Sequence, residues 1–122
     1  MPFTVEYDSD CDYMLSTITG QLDKKIIGEI FTEIGIIAAE NECERILCDL
    51  RDAVLVASTH DIYNSLNVLE NNQISRNLKR ALVISRNSKD YGFWETVCVN
   101  RGYVRIKIYH DYDEAALWLA QS

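Results

Sequence analysis

Two short, nearly continuous apolar runs, Arg45-Ile-Leu-Cys-Asp-Leu50 and Arg80-Ala-Leu-Val-Ile-Ser85, constrain the fold of this chain more than any other feature. A strand with one wet face alternates apolar and polar side chains. A run that is apolar at successive positions is buried on both faces, as in a parallel sheet covered by helices. Each run is followed by a polar stretch and then by apolar residues at helical spacing. Ser58 or Thr59 is placed to cap a helix carrying Ile62, Leu66 and Leu69. Ser88 or Asp90 is placed to cap another, carrying Trp94, Val97, Cys98 and Arg101. Strands and helices in this rhythm imply right-handed parallel crossovers.

The flanking segments complete the order. Phe3, Val5 and Tyr7 alternate with Thr4 and Glu6, and a second alternation runs from residue 13 to residue 19. The polar turn Asp8-Ser-Asp-Cys-Asp12 between them makes a hairpin, with Gly20 stopping its second strand and the first strand antiparallel to the rest. From residue 22 to residue 40 the period is helical, with Leu22, Ile26, Ile27, Ile30, Phe31, Ile34, Ile37 and Ala38 on one stripe. Gly28 and Gly35 inside that helix each cost about 1 kcal/mol against alanine, which predicts close packing against another element. The stretch through Ala53-Val-Leu-Val56 is expected to be irregular. Arg105-Ile-Lys-Ile-Tyr109 reads as a last strand, and Asp111-Tyr-Asp-Glu114 as the capping box of a helix carrying Ala115, Ala116, Trp118 and Leu119. The whole is one α/β domain over residues 1–122, β-β-α-β-α-β-α-β-α, with a mixed, mostly parallel sheet covered by helices.

Charge and cysteine usage exclude several functions. The chain has 19 acidic against 12 basic side chains and a net charge of −7, a field that repels nucleic acid and anionic membrane surfaces. The N-terminus lacks the pattern of a signal peptide, and the longest apolar run, residues 34–39, is far too short to span a bilayer, so a cytoplasmic protein without membrane insertion is expected. Cys11, Cys43, Cys48 and Cys98 have no CxxC spacing and His60 and His110 lie far apart, so neither a metal site nor a disulfide framework is expected. Cys48 and Cys98 read as small core hydrophobes, and Tyr13, Trp94 and Trp118 as core or half-core aromatics. No GxGxxG or GxxxxGK[ST] pattern is present, and no cofactor is implied.

The element order resembles the STAS domain, and more narrowly the SpoIIAA-like family related to bacterial anti-sigma-factor antagonists. The resemblance is carried by Tyr13-Met-Leu-Ser-Thr-Ile-Thr-Gly20, Arg45-Ile-Leu-Cys-Asp-Leu-Arg-Asp52, Arg80-Ala-Leu-Val-Ile84 and the run from Arg105 to Leu119 that ends Ala-Leu-Trp-Leu. In signalling members the strand ending Asp-Leu leads to a loop Asp-Ser-Ser-Gly whose first serine is phosphorylated. Asp49-Leu50 begins that match and Ser58 falls at the serine, while Ala57, Thr59 and His60 stand where the family has Asp, Ser and Gly. The resemblance implies a non-enzymatic interaction or regulatory module with a protein partner, and a homodimer is a further expectation.

Ser58 and Thr59 are accordingly the candidate phospho-acceptor or interaction residues, with a plain helix cap as the competing account. Ser58, His60 and Asp61 share one helical turn and do not point at each other, so a hydrolytic cluster is not expected. Ser85, Arg86, Ser88 and Lys89 follow a buried strand, where open sheets collect ligands, and suit an anionic group in a cleft shared with the Ser58 loop. Arg76, Lys79 and Arg80 read as a solvated basic face, with an acidic partner or lipid headgroup as the functional alternative. A small-molecule or lipid-like carrier, with its cleft beside the Gly28/Gly35 helix, is the second functional expectation.

Overall fold

The computed structural model describes residues 2–71, 74, 76–86 and 91–121. β1 (Phe3–Asp8) and β2 (Tyr13–Leu22) form the hairpin, followed by α1 (Lys24–Asn41), β3 (Arg45–Leu55), α2 (Thr59–Asn71), β4 (Lys79–Val83), α3 (Tyr91–Asn100), β5 (Ile106–Tyr109) and α4 (Tyr112–Ala120). The sheet runs β1-β2-β3-β4-β5, antiparallel at the β1/β2 pair and parallel elsewhere. Three crossovers of one hand, stepping in one direction along the sheet, put their helices on the same face. Residues of α1, α2 and α3 accordingly share the larger core with Met14, Ile18, Ile46, Cys48, Leu82 and Ile106. α4 has no strand to return to and closes the other face, where Ala115 and Leu119 pack on Tyr13, Leu47, Ala81 and Val83. The two apolar runs are therefore buried on both sides, as their composition predicts. Cys98 and Trp94 lie in the larger core, and Trp118 packs against the smaller one.

Two boundaries differ from the sequence reading for one reason. β2 continues through Gly20 to Leu22 and β3 through Leu55, because Thr19–Leu22 pair with residues 52–55. Between Thr17↔Asp49 and Thr19↔Asp52 the register shifts, with one extra residue on β3. A bulge of this kind resets the side-chain alternation. Ile46, Cys48 and Leu50 face the larger core before it, and Ala53 and Leu55 after it. The stretch read as irregular is thus a strand whose period jumps once. Gly20 adopts φ +79 within it, a conformation that L side chains rarely take. Leu22, buried at the end of β2, precedes the helix, and α1 begins after Asp23, whose Oδ1 accepts the Ile26 N–H at 2.9 Å.

The basic group before β4 is not a solvated face. Lys79 and Arg80 are buried while Arg76 is exposed. Lys79 reaches the end of α4 and donates from Nζ to the carbonyls of Trp118 and Gln121, both at 2.6 Å, with the Trp118 ring centroid 4.4 Å away. Burial first, then the positive charges of Arg105 and Arg45, lower the pKa of this ammonium. The negative dipole end of the helix favours the charged form. Arg76 lies in the space over Gly102, where a Cβ would come 2.9 Å from its Cδ, and spans Tyr103 to reach Glu70 at 3.3 Å. Of the capping box expected at α4 the N-cap half is present, the Glu114 N–H donating to Asp111 Oδ1 at 3.0 Å. Replacing Lys79 by Met keeps the stem and removes the charge from the α4 terminus. We expect a loss of about 1–2 kcal/mol in urea-unfolding stability, the upper end for a partly buried helix-terminus cation.

Candidate functional site

The β2–β3 ribbon runs past the last residue of β3 that pairs with β4, Asp49, and carries the loop of Val56, Ala57 and Ser58 beyond the body of the sheet. Its outer face is uncovered there, leaving Val54 61% exposed, and Val56 in the loop beyond is 48% exposed. Ser58 ends the loop and opens α2. The Asp61 N–H donates to Ser58 Oγ at 3.0 Å, and the Ser58 N–H donates to Asp61 Oδ2 at 3.2 Å. This is a reciprocal capping box with aspartate as the acid, satisfying two helix-terminal donors at once. Thr59 is exposed in the first turn. The Ser58 N–H holds the Asp61 carboxyl below the usual range, helped by the Ser58 hydroxyl and by the charges of Lys24 and His60. Asp61 entered the sequence reading as a member of a hydrolytic cluster, yet its spacing from Ser58 is the signal of a capping box. His60 turns to solvent and pairs with Asn64 Nδ2 at 2.9 Å. The relay of a hydrolytic triad is not assembled, because the partner of Ser58 Oγ is a backbone amide.

Between the start of α1 and α2 lies an open groove of about 560 Å³, lined by Lys24, Gly28, Val56, Ala57, Asp61 and Asn64 among others. A second groove of about 580 Å³ continues along α1 toward Phe3 and shares Lys25, Gly28 and Val68 with the first. A Cβ built on Gly28 would meet nothing within 4 Å. The close packing expected at Gly28 is therefore absent, and the glycine floors a groove instead; Gly35 is buried in the core. Charge in the groove is mixed, with Asp23, Lys24 and Lys25 at the start of α1 and Asp61 on α2.

Ser85 is half-buried and Arg86 exposed in the loop after β4. Neither lines the groove beside Ser58, since β3 outruns β4 and separates the levels of the two loops. Ser88, Lys89 and Asp90 lie outside the described residues. Behind α1, a cavity of about 30 Å³ lies among Ile18, Leu22, Phe31, Cys48, Arg80 and Trp94. That is room for a body the size of one water and too little for a lipid chain. Among the described residues no helix is long and apolar enough to cross a membrane, and no three His, Cys, Asp or Glu side chains are placed to hold a metal ion.

No protein-family model and no curated protein matches the chain. Solved structures do. An anti-sigma factor antagonist from Mycobacterium paratuberculosis aligns at a TM-score of 0.63 and 13% identity, over 98% of this chain and 95% of that one. An uncharacterized protein of the DUF3478 family from Shewanella loihica, described as having a SpoIIAA-like fold, aligns at 0.58 and 19% identity over 96% and 91%. The anti-sigma factor antagonist SpoIIAA in its unphosphorylated form aligns at 0.54 and 12% identity over 94% of each chain. The chain has the SpoIIAA-like fold, an α/β domain of five strands and four helices.

Two stability measurements check this local reading. Ser58→Ala removes a helix cap and should lower unfolding stability by about 1 kcal/mol. Asp61 has a folded pKa below its unfolded value, so its contribution is complete above the unfolded carboxylate pKa, about 4, and is lost as pH falls through the folded value. Asp61→Asn should flatten that acid limb of the stability curve without altering the alkaline side. Separately, Gly28→Ala places its Cβ in open space and should raise stability by about 1 kcal/mol, measured by thermal or urea unfolding.

Proposed function

We propose that this chain is a non-enzymatic protein-interaction module whose contact face is the groove between α1 and α2, switched by covalent charge at Ser58. The observation that carries this reading is an exposed cap serine set between two groove-lining residues, Ala57 and Asp61, on the fold of anti-sigma factor antagonists. A phosphoryl group on Ser58 would add a charge of about −1.5 to −2 at pH 7. The free amides and positive dipole end of α2 favour such a charge. The Asp61 carboxylate, held against the Ser58 N–H, opposes it. The capping box therefore opens when Ser58 is charged, and Asp61 swings toward Lys24 on the opposite wall. Both the charge and the shape of the groove change, and exposed Val56 on its wall supplies apolar area that a partner would cover. Ala57, Thr59 and His60 replace the flanking residues of the signalling loop, so the modifying kinase reads a different context.

The test uses tagged wild type, Ser58→Ala, Ser58→Asp and Gly28→Leu produced in the native host, with co-purifying proteins quantified by mass spectrometry. One partner should be kept by wild type and Ser58→Ala and lost by both Ser58→Asp and Gly28→Leu. Sedimentation of the purified proteins reads the case in which that partner is a second copy of this chain. An identical partner set at equal abundance across all four proteins would overturn the proposal.

A further inference from the structure

Neighbouring residues of a strand face opposite ways, so the carbonyls that receive Lys79 cannot serve Arg80. The Arg80 side chain lies on the larger-core side of β4, 2% exposed, and borders the 30 Å³ cavity together with Cys48, Phe31 and Trp94. Its Nε and Nη2 have no hydrogen-bond partner, and neither has Nε1 of Trp94, another residue that lines the cavity. Among the described residues no carboxylate lies within ion-pair range of Arg80; Glu70 is taken by Arg101 at 2.6 Å and by Arg76 at 3.3 Å. Cys48 cannot supply the missing charge, because burial pushes its thiol up to about 12. Burial does the same to the Tyr91 phenol, which stacks on Trp94. The Tyr103 ring, with its centroid 5.8 Å from the guanidinium carbon, offers a π-face and no acceptor oxygen toward those donors.

A guanidinium does not give up its proton in a protein, so this buried cation stays charged. We infer that the cavity is a binding site for one small monovalent anion of halide size, held by Arg80 Nε and Nη2 with Trp94 Nε1 as a further donor. The volume sets the scale of the occupant, since about 30 Å³ matches one water-sized body. The charge decides between an anion and water. A water molecule would satisfy the N–H groups but leave the positive charge uncompensated among Ile18, Leu22, Ile30 and Leu50.

The experiment follows thermal unfolding of the full chain in sodium bromide against sodium gluconate, whose anion is too large for the cavity, at one ionic strength. A halide bound only by the folded state raises the midpoint with the logarithm of its concentration. That rise is expected in wild type, is absent in Arg80→Met, and is shifted to higher bromide in Trp94→Phe; general salt effects act on all three alike. In crystals soaked in bromide, an anomalous peak is expected beside Arg80, and this readout decides the matter if Arg80→Met does not fold. A midpoint indifferent to the anion at equal ionic strength, or an Arg80→Met protein that keeps the same bromide dependence, would overturn the inference. So would a cavity holding water alone in bromide-soaked crystals.

Discussion

β3 pairs with β2 along most of its length but with β4 only as far as Asp49, and the bulge that follows is the constraint on which the rest of the molecule depends. Up to that point β3 is a central strand with a core on each face. Beyond it, one extra residue shifts the alternation, so that Ala53 and Leu55 still face the helices while Val54 turns outward. Without the shift, the same residues would expose the inward set and bury Asp52 and Val54. The bulge therefore lets a strand leave a two-sided sheet and remain half-buried. Continued pairing with Thr19–Leu22 of β2 then carries the end of β3, and with it Ser58, beyond the end of β4. The open groove between α1 and α2 is a consequence of that reach.

The site at the ribbon's end is local in its chemistry. Ser58 and Asp61 satisfy one another's backbone amides across one turn, and this accounts for both side chains without any ligand. What distinguishes the cap from an ordinary one is its setting. Lys24 begins a helix from the opposite wall and contributes to depressing the Asp61 pKa, so the cap is electrostatically coupled to α1 across the groove. Gly28 leaves the floor between them open where any other residue would add bulk. A charge change at Ser58 is thus felt by a surface built from two helices rather than one.

Element order, the hairpin, both double-sided strands and the Asp111 N-cap of α4 were legible in the sequence because each rests on periodicity or on a contact three residues away. The misplaced features share a different origin. A bulge changes the phase of an alternation without changing its composition, so residues 51–56 lost their strand signature at Arg51 and Asp52. Leu22 continued the helical stripe by coincidence of spacing although it closes β2. Gly28 suggested close packing because a helical glycine is costly, whereas its neighbour is open space. Ser58 and its reciprocal partner Asp61 show the reverse: local chemistry identifies the cap, but only the tertiary arrangement shows that it stands beside a groove. The cleft expected between the Ser58 and Ser85 loops includes Ser88 and Lys89, which lie outside the described residues, while Ser85 and Arg86 do not line the groove beside Ser58.

The basic pair at the start of β4 reveals most about the limits of that kind of reading. Two adjacent cations look solvated in sequence, yet a strand buried on both faces must bury both. Their fates diverge because the two faces differ. Lys79 meets the carbonyl end of α4, a negative terminus delivered from about forty positions further along the chain, and its charge completes that helix. Arg80 meets the flank of α1, which offers isoleucines, and three N–H groups, on two residues that line one cavity, are left without acceptors. A leucine or methionine at position 80 would fill that space with no desolvation penalty, and buried charges replaced by apolar residues often leave proteins as stable or more so. Packing therefore gives no reason for a guanidinium here, while an occupant carrying negative charge does.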